Sequence, residues 1–448
     1  MTDKNIHKPV TVAFVALGCP KNMVDSERML AEIAKGGFLI AARPDDADVI
    51  IINTCGFIAP AKAEALREIK NALKRKRDGT VKKVIAAGCL PQRLGTRLFN
   101  QADGIDAIVG LSQRDDIAHI IKKTLSAKKP LAYLNTSFQK ISDDRTRLLI
   151  SPHHWAYLRI SEGCSHHCSF CTVPAIRGPF RSKPKELILA EANELVEAGV
   201  VELNIIAQDT TNYGRDLKME NGLSTLLKEL EKINNLKWIR LMYSYPTGIT
   251  PQLIQTIADS KKIVKYIDIP IQHINNKILK DMRRPYTREK ISSLIDNLRT
   301  NIPDIVLRTT LIVGFPGETD RQFNELLEFV KSTEFDCLGC FQFYPEAGTN
   351  AAKMPRQVPG RIKKQRLKQL MLTQQKIVFE KNKKRIGSRL TCLIDSADNK
   401  STAQARFYGQ APVIDSVCFV KNCSIKPGQF IDAKVVDTKD YDLIVEQI

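Results

Sequence analysis

Short apolar, β-branched runs alternate with helix-length stretches through the first 110 residues, and that alternation restricts the fold more than any other feature. VTVAFVA (10–16) precedes a helix predicted near 24–35, DVIIIN (48–53) one near 60–76, and KKVIAAG (82–88) one near 92–99. Strands that alternate with helices pair as parallel βαβ units. Each run also ends in a cysteine: LGCPKN carries Cys19, INTCGFI carries Cys55 and AGCLPQR carries Cys89. In a parallel sheet the carboxyl ends of the strands share one edge, where ligands bind. Cys19, Cys55 and Cys89, spaced 36 and 34 residues apart, are therefore expected to converge on a metal centre. The bland alternative is three small buried residues.

At 448 residues the chain is expected to form two or three domains. Residues 110–150 show no clear periodicity and are expected to carry the chain to a second domain. Alternation then resumes. WAYLRI (155–160), ELNIIA (202–207), WIRLMY (238–243), YIDIPI (266–271), IVLRTTLIV (305–313) and CLGCFQFY (337–344) read as strands, with helices such as 185–199 and 288–300 between them. Six such units suggest an open or partial parallel barrel with its chemistry at the carboxyl-end mouth. A long basic helix is predicted at 359–385, ending at Gly387. RLTCLI, QFIDAKVVD and YDLIVEQI then read as a small all-β domain. The fold class is thus α/β, with expected domains at 1–140, 150–384 and 385–448.

The opening residues, MTDKNIHKPV, lack a signal-peptide pattern, and the most apolar windows are far short of a membrane span. A cytoplasmic protein without a membrane partner is expected, and eleven cysteines in a reducing compartment favour metal or catalytic use over disulfides. A net charge of +19 points to an acidic partner. Most of it lies between Lys353 and Arg389, where 13 basic residues face one acid; from Cys392 onward, 6 basic and 8 acidic residues give −2. A solvated lysine-rich helix face accounts for the basic segment equally well.

EGCSHHCSFC (162–171) places Cys164, Cys168 and Cys171 at C-x-x-x-C-x-x-C. Three thiolates on one short loop can hold three irons of a 4Fe–4S cube and leave the fourth open to a small molecule. Zinc would need a fourth ligand, such as His166 or His167. Both histidines lie inside the tight span, and polar loop filler is their preferred reading. Cys337, Cys340, Cys392, Cys418 and Cys423 are not expected to bind iron.

C-x-x-x-C-x-x-C just after the first strand of a six-unit β/α domain resembles the signature of radical S-adenosylmethionine (SAM) enzymes. With the upstream cysteines and the β-rich tail, the chain is similar over nearly its whole length to the methylthiotransferases. LGCPKNMVDSE, NTCGFIAPAKAEA, IIAQDTTNYGRD, LMYSYP and RTTLIVGFPGE resemble the branch that modifies a ribosomal protein. In the tRNA-modifying branch the corresponding words tend to read G-C-Q-M-N, G-Q-N and S-H-P. FQFYPEAGTNAA departs from the family at Tyr344, where serine is usual.

The resemblance implies two 4Fe–4S clusters, one on Cys19, Cys55 and Cys89 and one, binding SAM, on Cys164, Cys168 and Cys171. SAM cleavage there yields a 5′-deoxyadenosyl radical, and the first cluster carries sulfur methylated from a second SAM. Gln208, Asp209 and Arg308 are candidates for holding SAM. The implied function is methylthiolation of an aspartate β-carbon in ribosomal protein uS12, with an electron donor such as flavodoxin or ferredoxin. An rRNA contact through 353–389 and docking of the basic substrate on Asp432, Asp437, Asp440 and Asp442 complete the expectation. The competing functions are a tRNA adenosine methylthiotransferase and a non-catalytic iron–sulfur protein for electron transfer or redox sensing. The absence of a D-x-H-x-x-G word argues against a cobalamin-dependent methylase.

Overall fold

The computed structural model describes residues 9–135, 141, 143–397, 402–421 and 425–448. The chain divides into two compact units. The first comprises residues 1–150, 162–165 and 172–180, and the second comprises 151–161, 166–171 and 181–448.

The first unit is built on a six-stranded parallel sheet. Its strands run in the order Leu39–Ile40, Thr11–Ala16, Val49–Thr54, Lys83–Gly88, Ala107–Val109 and Leu131–Tyr133. The central strand, VIIINT, is buried at every position, as expected where a parallel sheet is covered on both faces. Alternate side chains feed two separate cores. Ile50, Ile52 and Val84 pack against Ile69 and Leu73 of the helix Ala59–Arg77. Val49, Ile51 and Ile85 pack against Met29 and Ile33 of Pro20–Lys35 and against Ile120 and Ile121 of Ile117–Ser126.

Residues 110–150 correct an expectation. Ile117–Ser126 and Leu131–Tyr133 extend this sheet rather than link domains. A ten-residue helix and a three-residue strand are too short for periodicity to reveal. The predicted helix near 92–99 is likewise two short helices, Cys89–Leu94 and Arg97–Gln101.

In the second unit six parallel strands lie side by side in chain order: Trp155–Arg159, Glu202–Ile206, Trp238–Leu241, Ile263–Gln272, Val306–Val313 and Cys337–Gln342. The helix Gly360–Arg385 follows. Part of its basic charge is structural: Arg366 pairs with Glu318 and Asp320 at 2.7 Å each, and Lys381 with Asp336 at 2.6 Å. The chain then closes a five-stranded barrel, which includes Thr402–Phe407 and Cys418–Lys421, two strands without a clear sequence signal. Cys392 and Cys418 are fully buried in the barrel core among Ile394, Ala405 and Val445. Cys337 and Cys340 lie on the last strand of the six, and Cys423 is outside the described residues.

A buried ionic latch fastens this barrel to the amino ends of the parallel strands. Arg406 sits between Glu202 (2.8 Å) and Asp395 (2.6 Å), while Arg240 pairs with Glu202 (2.9 Å) and donates to the Tyr408 carbonyl (2.6 Å). Glu202 opens its strand. Burial would push the Asp395 carboxyl up, but hydrogen bonds and charge from His154 and Arg406 hold it below the usual carboxylate range. A carboxylate held low lends its full stability above about pH 4 and loses it as pH falls through the depressed value. Arg406→Met leaves the buried Glu202 with Arg240 alone and the half-buried Asp395 with His154 alone, and should cost about 3 kcal/mol. The measurement is the denaturation midpoint, together with early proteolytic release of the 386–448 barrel.

The acidic tail is not one cluster. Asp432 accepts from Thr391 Oγ1, and Asp442 accepts the Val417 N–H (2.8 Å). Asp440 occupies the hairpin turn with φ 53°, and Lys434 and Lys439 interrupt the series. Asp437 stands five positions along the strand from Asp432, roughly 17 Å of chain.

Candidate iron–sulfur sites

In the first unit the three expected cysteines stand in phase at the sheet's carboxyl edge. Ala16 pairs with Asn53 and Asn53 with Ala87, so Cys19, Cys55 and Cys89 follow three, two and two residues beyond one row of the ladder. Cys19 caps the helix Pro20–Lys35, and Cys89 opens the helix Cys89–Leu94. Two glycines let the turns meet. A Cβ on Gly18 (φ +100°) would stand 2.9 Å from the Cys55 Cβ, and one on Gly56 would stand 2.8 Å from the Cys89 carbonyl. Gly56→Ala should therefore wedge these turns apart and lower the iron bound by this unit, read as iron per chain after reconstitution.

Asn22 and Asn53 fix the turns. Asn22 Nδ2 donates to the Leu17 (2.6 Å) and Thr54 (3.2 Å) carbonyls, and Asn53 Nδ2 donates to Ser26 Oγ (2.8 Å). Burial pushes the Cys55 thiol up and the Cys89 thiol up to about 12. Both are therefore neutral thiols in the metal-free protein, and iron would supply the positive charge that stabilises the thiolates. Among the described residues no three His, Cys, Asp or Glu side chains close on a single metal ion. In a cube each thiolate binds a different iron, so the sulfurs stand wider apart than ligands of one ion. The donor set, three cysteines with no histidine or carboxylate, fits a 4Fe–4S cluster.

Arg177, absent from the sequence-based candidates, enters this site. It ends the short helix Val173–Arg177 and is buried. Its guanidinium donates to Glu162 (3.0 and 3.1 Å), Asp25 (2.9 Å), Asn22 Oδ1 (3.3 Å) and Cys89 Sγ (3.4 Å).

Cys164 also belongs to the first unit, where its N–H donates to the Gly178 carbonyl at 3.1 Å. Cys168 and Cys171 belong to the second unit, on a turn closed by Cys171 N–H to the Cys168 carbonyl at 3.1 Å. There His166 is not loop filler. Its Nε2 lies 2.7 Å from Asp209 Oδ2, and its ring stacks on Tyr245 with centroids 3.8 Å apart. The buried Arg284 lies over the Tyr245 ring (4.7 Å) and the Tyr286 ring (5.7 Å). Tyr243 and Gln272, at the carboxyl ends of adjacent strands, have φ of 59° and 69°. Such strain in large side chains gathers at functional sites.

The SAM candidates separate. Gln208 and Asp209 follow the strand Glu202–Ile206 at its carboxyl end, on the side of His166 and Tyr245. The Asp209 carboxylate is nevertheless engaged by the Thr211 N–H (3.0 Å) and hydroxyl (2.6 Å) as well as by His166. Arg308 is not brought to that edge. It is the third residue of its strand and pairs with Asp268 (3.2 Å) and Asp415 (3.4 Å), on the side of the C-terminal barrel. Strand assignment alone did not say which end it would occupy.

Three family models match in series: the radical SAM superfamily over residues 158–330, Uncharacterized protein family UPF0004 over 11–110, and the TRAM domain over 386–448. A radical SAM methyltransferase, TsrM from Kitasatospora setae, solved with cobalamin and a 4Fe–4S cluster, shares the fold at 15% identity and a TM-score of 0.54, over 77% of this chain and 74% of that one. Fold and cysteine pattern thus define an iron–sulfur protein of the radical SAM class. The ribosomal protein uS12 methylthiotransferase RimO of Geobacter sulfurreducens is 45% identical over 98% of both chains. Its counterparts in Citrifermentans bemidjiense and Clostridioides difficile are 43% identical over 100% and 97% of this chain, covering 99% and 98% of theirs. The chain belongs to the RimO family of methylthiotransferases.

Proposed function

We propose that this protein methylthiolates ribosomal protein uS12 at the β-carbon of an aspartate. Cys19, Cys55 and Cys89 hold one 4Fe–4S cluster, and Cys164, Cys168 and Cys171 hold the SAM-binding one. The observation that carries this reading is the in-phase row of three cysteines on the carboxyl edge of the first unit's sheet, present in addition to C-x-x-x-C-x-x-C. A radical SAM enzyme that only generated a radical would need the second set alone.

An aspartate β-carbon has an unactivated C–H bond that acid–base catalysis cannot open near neutral pH. When bound, an open-iron cluster with SAM supplies the carbon radical that can. The chain's own residues do the rest. Asn22 and Asn53 fix the thiol-bearing turns of the first unit, and Arg177 sets a positive charge against Cys89. In the second unit His166, stacked on Tyr245 and anchored to Asp209, stiffens the loop carrying Cys168 and Cys171. Gln208 and Asp209 stand at the strand end where SAM's polar groups would be met. An electron donor of the flavodoxin or ferredoxin type supplies the reductant.

The exposed cations of the helix Gly360–Arg385, among them Arg361, Lys364, Lys368 and Lys376, suit contact with rRNA beside uS12. Mass spectrometry of uS12 and of bulk tRNA from cells with and without the gene tests the assignment. Loss of a methylthio group from uS12 alone is expected; loss from tRNA adenosine would transfer the protein to the tRNA-modifying branch.

A further inference from the structure

We infer that Arg177 is a positioning residue that tunes the first cluster: held rigidly against Cys89 Sγ, it sets the electron affinity and sulfur charge of a cluster to which it is not a ligand. This rests on the reading that Cys19, Cys55 and Cys89 hold that cluster.

Three observations carry it. The guanidinium reaches Cys89 Sγ at 3.4 Å, within N–H···S hydrogen-bond range. Its side chain is 5% exposed, so the charge is little screened by water. And it is over-restrained, with Glu162, Asp25 and Asn22 all accepting from it. Asp25 is in turn paired with Arg114 at 2.9 Å. Two arginines and two carboxylates thus form a buried network that meets the Cys89 sulfur through Arg177.

A structural ion pair needs only its carboxylates. Burying a guanidinium so that one N–H also faces a thiol is better explained by a sulfur that becomes anionic when iron binds. Hydrogen bonds to cluster sulfurs and nearby positive charge both favour the reduced, more negative state and raise the reduction potential. They also draw electron density from sulfur, which would temper its reactivity until a methyl donor arrives. Arg177 lies six residues beyond Cys171, so the segment bearing the SAM-cluster word also supplies the tuning group of the other cluster.

The test uses the full chain with Cys164, Cys168 and Cys171 replaced by Ala, which retains only the first cluster. Its midpoint potential is read by redox titration followed by absorbance and electron paramagnetic resonance. Arg177→Met removes both hydrogen bond and charge and should shift the midpoint to more negative potential, with about four irons still bound. Arg177→Lys keeps the charge and should recover part of the shift. Glu162→Gln removes a negative charge from the same network and should move the midpoint the opposite way. If Arg177→Met holds no iron, the Glu162→Gln shift decides the matter: upward supports the inference, unchanged overturns it. An unchanged midpoint in iron-replete Arg177→Met and Glu162→Gln proteins also overturns it. Failure of the triple-alanine parent to hold about four irons would instead sink the cluster assignment beneath it.

Discussion

The Cys55→Ala protein should still convert SAM to 5′-deoxyadenosine under reducing conditions, yet make no methylthiolated uS12. Cys55 stands between Cys19 and Cys89 on the carboxyl edge of the first unit's sheet, with the Gly18 and Gly56 backbones packed against its turn and that of Cys89. Three thiolates are already the fewest that hold a cube with one open iron, so two should not retain it. The sequence word at 164–171 is untouched, and radical formation needs only that word. Turnover should therefore become uncoupled: 5′-deoxyadenosine appears, bound iron falls by about four per chain, and product drops below detection. Methylthiolated uS12 from this variant would show that sulfur does not pass through the first unit.

The converse variant, with Cys164, Cys168 and Cys171 all replaced by Ala, should lose both activities. Reconstituted wild-type protein should carry about eight irons and this variant about half. Cys392 and Cys418 are sealed in the core of the C-terminal barrel and offer no replacement ligands. Without an open iron, SAM has no electron source, so 5′-deoxyadenosine should fall to background. Methyl transfer from SAM to the first cluster's sulfur requires no radical, so this variant can still release S-adenosylhomocysteine. An intact protein with only four irons would remove the need for two sites.

These expectations draw on what the sequence makes legible. The βαβ rhythm and the phase of Cys19, Cys55 and Cys89 are visible because strand ends in a parallel sheet must align. The six-strand unit and the β-rich tail are visible for similar reasons of period and punctuation. Ile117–Ser126 and Leu131–Tyr133 escape notice because short elements owe their structure to the sheet they join. Arg177 is silent in sequence, since its partners Asp25 and Cys89 lie 152 and 88 residues away. His166 reads as filler because its role depends on Asp209 and Tyr245, 43 and 79 residues further on. Arg308 misleads because residue type and strand assignment do not reveal which end of a strand a side chain occupies. Asp415, which claims Arg308, lies 107 residues beyond it.

Substrate identity is the central claim, and one purified reaction tests it most directly. The reconstituted protein is mixed with SAM, a sulfide source and a strong reductant, then offered small ribosomal subunits containing unmodified uS12 and, in parallel, unmodified tRNA. Intact-protein and peptide mass spectrometry should find one methylthio group on one aspartate of uS12, while nucleoside analysis of the tRNA finds none. Methylthioadenosine in the tRNA with uS12 unchanged would contradict the account.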